Sequence, residues 1–316
     1  MTTAWTKVSD RIDVAETACG DASIVFNNAL YMGTGSSKGE LWRLKADGSG
    51  MEIVCNAFSG TNYVRALTEF NQKLYAGVGG NALGGRLLRL NDAGNGWQLV
   101  CSKYSIETIV TCLAVFEGKL YAGTGLHTYL LKLNDAETGW DLVCPQYGPM
   151  GNMMKSLFVF NGYLYATTTG GYGGSLLRLN STKTGWDVLQ AVIFSPKDIG
   201  CSPVVLDGRL YFGSSQPHTF DLLRLTEDGL GCELVCTGNS NEIYGTYTLC
   251  VHNGELYVGT YGTGLLYKLN SGKTALDLVC GQFESETVIN SQMVSFNGNL
   301  YAGTYPNAKV LKLVSN

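Results

Sequence analysis

The sequence predicts an all-β fold assembled from repeats, and three observations carry that expectation. The dipeptide Leu-Tyr recurs at Leu30-Tyr31, Leu74-Tyr75, Leu120-Tyr121, Leu164-Tyr165, Leu210-Tyr211, Leu256-Tyr257 and Leu300-Tyr301, always 44 or 46 residues apart. The segments between are short apolar runs separated by Asn, Gly, Asp or Ser, with no 3.6-residue period of helical length. Glycine makes up 41 of the 316 residues, proline only 6, and charged residues 15%, against about 25% charged in a typical soluble domain. A disordered chain would be charge-rich and apolar-poor instead.

Each repeat reads as four strands. In the fourth repeat, the first strand ends at Phe160 and turns through Asn161-Gly162 into the second, Tyr163 to Thr167. The third, Ser175 to Leu179, carries a leucine-basic-leucine step that recurs at Arg43, Arg89, Lys132, Arg178, Arg224, Lys268 and Lys312. A turn from Asn180 to Gly185 leads to the fourth, Trp186 to Leu189; its residue types tolerate the backbone angles that tight turns need. The fourth strand opens at Met51, Trp97, Trp140, Trp186, Cys232 or Leu276, six openings for seven repeats. The seventh is at the other end of the chain. Ala4-Trp5-Thr6-Lys7-Val8 reads like Gly96-Trp97-Gln98-Leu99-Val100, and Trp5 lies 46 residues before Met51. Residues 4–9 are therefore expected to supply the outer strand of the last repeat. The expectation is a single domain over residues 1–316, a seven-bladed β-propeller of four-stranded blades whose ring closes through its N-terminal strand.

At the level of one repeat the chain resembles the kelch propellers. The second repeat comes nearest, with Leu74-Tyr75, Gly79-Gly80, Leu88, Leu90 and Trp97 in that order. Most other repeats hold Gly-Thr where kelch units pair glycines, as at Gly33-Thr34, Gly123-Thr124 and Gly259-Thr260. No Trp-Asp repeat end with an upstream Gly-His recurs, and no calcium-loop string of alternating acids is present.

Charge and cysteine narrow the classes of function. With 22 basic and 26 acidic residues, net charge −4, the chain lacks the basic surplus of a nucleic-acid binder. No run reaches the ~18 apolar residues of a membrane-spanning helix, and Met1 to Asp10 has neither the basic cap nor the apolar run of a secretory signal. Of ten cysteines, Cys55, Cys101, Cys144, Cys236 and Cys280 recur at one repeat position. Equivalent positions in neighbouring repeats lie too far apart to bridge, so reduced buried thiols and a cytoplasmic setting are expected.

Positions uniform across the repeats read as scaffold, and function is sought where the repeats differ. The loops between second and third strands and those between repeats share one face and vary most. Nine residues before each Leu of the Leu-Tyr pair stand Asp21, Arg65, Thr111, Lys155, Cys201, Tyr247 and Ser291, all different. Just before that strand an acid recurs at Glu16, Glu107, Asp198, Glu242 and Glu286. Two readings stay open for these acids: caps on backbone amides of the loops, or an acidic arc at a channel mouth opposed by Arg65 and Lys155. The third-strand cations are expected to snorkel or to lie over the aromatic that opens the next strand.

Catalysis has thin support: the three histidines, His127, His218 and His252, have no partner at a recognisable spacing. The expectation is a non-enzymatic interaction scaffold for a protein or peptide, with no cofactor. A lectin-like carbohydrate binder using the tryptophans, and a metal-dependent hydrolase or lyase with its site in the channel, stand as alternatives.

Overall fold

The computed structural model of the protein describes residues 3–10, 12, 16–80, 83–170, 174–190, 198–199, 203–216, 219–239, 245–289 and 292–315. Among them there is no helix, and the repeats fold as antiparallel meanders. The third repeat is representative: Val110–Phe116, Lys119–Thr124, Leu130–Leu133 and Trp140–Cys144 hydrogen-bond in that order. In the fifth and seventh repeats the innermost strand comes in two pieces, Asp198–Ile199 with Val204–Leu206 and Val288–Ile289 with Val294–Phe296.

The hairpins follow from their residues. The seven two-residue turns between first and second strands, from Asn27-Asn28 to Asn297-Gly298, have positive φ at both central positions. That geometry matches the right-handed twist of the flanking strands and selects Asn, Asp and Gly. At the other hairpin an Asn side chain caps the turn in four repeats, through Asn91, Asn134, Asn180 and Asn270. Asn134 Oδ1, for example, accepts from the Thr138 amide at 3.0 Å.

Neighbouring repeats meet through one glycine, two residues after the Leu-Tyr pair. A Cβ on Gly77 would lie 2.6 Å from Val110 Cγ1, and one on Gly123 would lie 2.5 Å from Met154 Sδ. The missing side chain lets the next repeat's first strand pack directly on the second strand. Gly303 stands in the same relation to the first repeat, where an added Cβ would lie 2.1 Å from the Cys19 carbonyl oxygen. In the fourth repeat the position is Thr167, fully buried and bonded to Ser156 Oγ at 2.5 Å.

The chain ends share a sheet. Thr3–Ser9 pairs antiparallel with Val310–Ser315, Trp5 opposite Leu313, and the register skips at Val8. Every other outer strand skips at the equivalent residue: Val54, Val100, Val143, Leu189, Val235 and Val279. Trp5 is buried with Leu266, Ile289, Leu300 and Leu311.

The third-strand cations do not lie over the aromatics that open the fourth strand. Arg43 Nη2 donates to Glu52 at 2.6 Å and Arg224 Nε to Glu233 at 2.9 Å, each partner directly across the ladder. Their cation–π contacts are with second-strand tyrosines, Arg178 over Tyr163 at 5.0 Å and Arg224 over Tyr211 at 5.9 Å. A cross-strand carboxylate offers a full opposite charge, which outcompetes a ring quadrupole. Trp97, Trp140 and Trp186 are half-buried, and their indole N–H groups are buried. A sugar platform needs an open ring face.

Candidate functional site

Five of the seven positions nine residues before a Leu-Tyr pair are described, and they share a backbone feature. The ladder between first and second strands skips one residue at Arg65, Thr111, Lys155 and Tyr247. In Ala18–Phe26 the skip spans residues 20–22 and includes Asp21. A bulge leaves its extra residue outside the ladder and re-aims the side chain. Arg65, Thr111, Lys155 and Tyr247 thereby come together from four repeats around one cavity of about 450 Å³, with Met153 and Gln292 also in its wall. That volume lies within the range of about 300–1,000 Å³ usual for ligand sites.

A second cavity of about 230 Å³ shares Arg65 and Tyr247 and adds Tyr63, Tyr261 and Tyr305. Tyr261 and Tyr305 are 44% and 42% exposed, so the rim presents aromatic surface to solvent. The Arg65 guanidinium carbon lies 4.3 Å from the centre of the Tyr63 ring, and Lys155 Nζ lies 5.1 Å from that of Tyr247. Tyr247 in turn stacks on Tyr261, centroids 5.6 Å apart at 28°. Two side chains are engaged by the scaffold. Thr111 Oγ1 donates to the Met154 carbonyl at 2.5 Å, and Gln292 Oε1 accepts from the Ser23 amide at 2.6 Å. Among the described residues, no carboxylate lines either cavity.

Glu16, Glu107 and Glu286 are 0%, 1% and 0% exposed and take no part in the cavity wall. Each reaches into the loop between second and third strands of its own repeat. Glu16 Oε1 accepts from the Lys38 amide and from Ser37 Oγ at 3.1 Å. Glu107 Oε2 accepts from the Leu126 amide at 3.0 Å, and its Oε1 lies 2.5 Å from His127 Nδ1. Glu286 accepts from the amide and side chain of Asn307 at 3.1 and 2.7 Å, and pairs with Lys309 at 3.1 Å. Burial raises the carboxyl pKa of Glu16 against the Lys38 and Ser37 hydrogen bonds, with the Glu40 charge adding to the rise. At Glu286 burial also pushes upward, but bonds from Asn307, Thr304 and Lys309 together hold its pKa below the ordinary value. The anticipated arc is therefore not formed by these three: a carboxylate this deep needs donors, and the loop amides supply them. Of Asp21 and Asp198 only the backbone is described, and Glu242 lies outside the described residues, as do Cys201, Ser291 and His218.

The described residues contain no group of three or more His, Cys, Asp or Glu able to hold a metal ion. His252 bonds Ser295 Oγ at 2.8 Å, and burial lowers its pKa. The described cysteines carry free thiols. Burial pushes Cys55, Cys101, Cys144 and Cys280 up to about 12, far from a reactive thiolate. No described helix is long and apolar enough to cross a membrane.

Tyr63, Tyr261 and Tyr305 escape the sequence reading. Their signal was present: Gly259-Thr260-Tyr261 and Gly303-Thr304-Tyr305 occupy the same place in adjacent repeats.

No family profile matches the chain, and no curated protein does. Solved structures do. A catalytically inactive virginiamycin B lyase from Staphylococcus aureus with quinupristin superposes with a TM-score of 0.75 at 12% identity, covering 99% of this chain and 100% of that one. YCF48 bound to D1 peptide gives 0.69 at 12% identity over 100% and 96%, and the WD40 β-propeller domain of Doa1 gives 0.65 at 10% over 99% and 98%. The fold is a β-propeller. At these identities the likeness shows the fold alone.

Proposed function

We propose that the protein is a seven-bladed, closed propeller that binds a protein or peptide at the cavity mouth, without catalysis and in a reducing compartment. Closure is supported by the pairing of Thr3–Ser9 with Val310–Ser315 and by Gly303 meeting Cys19 as the internal glycines meet their neighbours. A kelch-like character rests on the second repeat's pattern, Leu74-Tyr75 to Trp97.

The observation that carries the binding reading is the cavity wall itself. Side chains at bulges in four repeats converge there, and the adjoining cavity, which shares Arg65 and Tyr247, adds Tyr63, Tyr261 and Tyr305. Tyr and Arg are the residues that concentrate binding energy at interfaces, because each combines a large buried area with a directional polar end. The propeller bound to D1 peptide gives a peptide-binding precedent on this fold. The test is selection of displayed peptides on the immobilised protein, followed by crosslinking from a photo-reactive residue at Tyr261 or at Tyr163, at opposite ends of the second strand. Crosslinks from position 261 that are lost in Tyr247→Ala support the reading. Equal crosslinking from position 163, or affinity unchanged in Tyr247→Ala, removes it.

A further inference from the structure

We infer that the partner anchors in the cavity through a carboxylate, held beside Lys155; this rests on the peptide-binding reading above. Lys155 sits at a bulge of Met153–Phe160, where its backbone position is outside the ladder and its side chain has no role in register. It is half-buried, and among the described residues no acid pairs with it. Its contact is with the Tyr247 ring, 5.1 Å from the centroid. That contact offsets part of the desolvation cost but supplies no negative charge. Arg65 lines the same cavity from the second repeat, two repeats before that of Lys155. The recurring acids of the first, third and seventh repeats, Glu16, Glu107 and Glu286, are engaged by their own loops.

Charge decides the ligand class. A concave site with low-dielectric walls focuses the field of its charges, and among the described residues Lys155 brings a cation to this wall that no carboxylate meets. The faces of Tyr63 and Tyr247 already carry Arg65 and Lys155, so a cationic ligand finds those faces taken and meets like charge. A single ammonium beside Tyr247, in a wall that also holds Met153 and Ile109, matches a singly charged carboxylate on a partly apolar stem. A phosphate dianion calls for several Arg forks or clustered backbone amides, and the one guanidinium among the described residues of the wall lies over the Tyr63 ring. The carboxylate comes either from a chain terminus or from an Asp or Glu side chain.

Four fluorescent random peptide pools separate the cases by anisotropy: acidic with amidated ends, free-acid ends without Asp or Glu, neutral amidated, and basic amidated. The proteins are wild type, Lys155→Gln, Lys155→Arg, Tyr247→Ala and, as control, Lys119→Gln at the exposed Lys119–Asp135 pair. At least one anionic pool is expected to bind wild type more tightly than the neutral pool, and added salt should weaken it. Lys155→Gln should weaken it about tenfold or more, the worth of a hydrogen bond to a charged group. Lys155→Arg should retain binding, and Lys119→Gln should match wild type. Which anionic pool binds assigns the source. If the neutral or basic pool binds as tightly and loses binding in Tyr247→Ala, the carboxylate anchor is wrong while the peptide site stands. Binding of an anionic pool that survives Lys155→Gln also overturns the anchor. Binding of no pool overturns both. The comparison of pools on wild type holds whatever the stability of any variant.

Discussion

Removing Trp5 tests how the two ends of the chain are joined. The indole is 6% exposed, opposite Leu313 in the ladder, and packed with Leu266, Ile289, Leu300 and Leu311 from the last two repeats. Truncating a buried Trp to Ala costs about 3–5 kcal/mol, the sum of lost transfer energy and a cavity. At roughly 2 cal/mol/K of unfolding entropy per residue, a chain of this length melts roughly 5–8 °C lower for that cost. Deleting residues 1–9 should cost more. It also removes the Thr6 Oγ1 bond to the Lys312 carbonyl at 3.1 Å and bares the edge of Val310–Ser315 to intermolecular pairing. Scanning calorimetry and urea unfolding read the loss, and light scattering reads the association. A truncated protein that melts with wild type and stays monomeric would refute the argument, because no strand worth this much free energy can be absent without a trace.

Thiol titration in denaturant without reductant should return all ten cysteines; a stable bridge would overturn the reading from repeat spacing. Glu286 and Glu16 should give opposite pH slopes. The folded pKa of Glu286 lies below its unfolded value, so its stabilisation is present above about pH 4.5 and lost as pH falls through the folded pKa. That of Glu16 is raised, so its contribution is present at low pH and lost as pH rises through the folded pKa. Urea midpoints across the acid range should therefore steepen with Glu286 and flatten in Glu286→Gln, and Glu16→Gln should do the reverse; parallel profiles would contradict the assignment. Gly77→Ala should destabilise by about 1–3 kcal/mol, since the added methyl meets Val110 Cγ1 and, at 3.1 Å, the Val110 carbonyl oxygen; an unchanged denaturation midpoint would mean that the inter-repeat contact gives way freely.

The repeat was legible because Leu-Tyr and its hairpin residues perform the same backbone task seven times. The N-terminal strand was legible for the same reason, since Trp5 copies Trp97. The variable position was found by counting. That it is a bulge was not visible, because the residue in a bulge has no composition of its own, as Arg65, Thr111, Lys155 and Tyr247 illustrate. The acids were ambiguous because burial decides between cap and exposed charge. Their donors, at Lys38, Leu126 and Asn307, follow at no fixed spacing. The partners of the third-strand cations were within reach of the sequence. Arg43 and Glu52, Lys132 and Asp141, Arg178 and Asp187, and Arg224 and Glu233 are each nine residues apart, the separation that one tight hairpin places side by side.

The bulged position also separates folding from recognition. Residues in the ladders and at the glycine contacts are constrained by their neighbours, and changing one perturbs the repeat beside it. The looped-out residue carries little of that burden, most plainly at Lys155 and Tyr247, whose ring contacts join them to each other and to Tyr261. Substitutions there should trade one ligand for another at small cost to the rest of the molecule. The scaffold thus offers a ready-made combinatorial surface: randomising Arg65, Lys155 and Tyr247 together, while keeping Thr111 for its bond to the next strand, yields a library whose members share one fold and differ in what they hold.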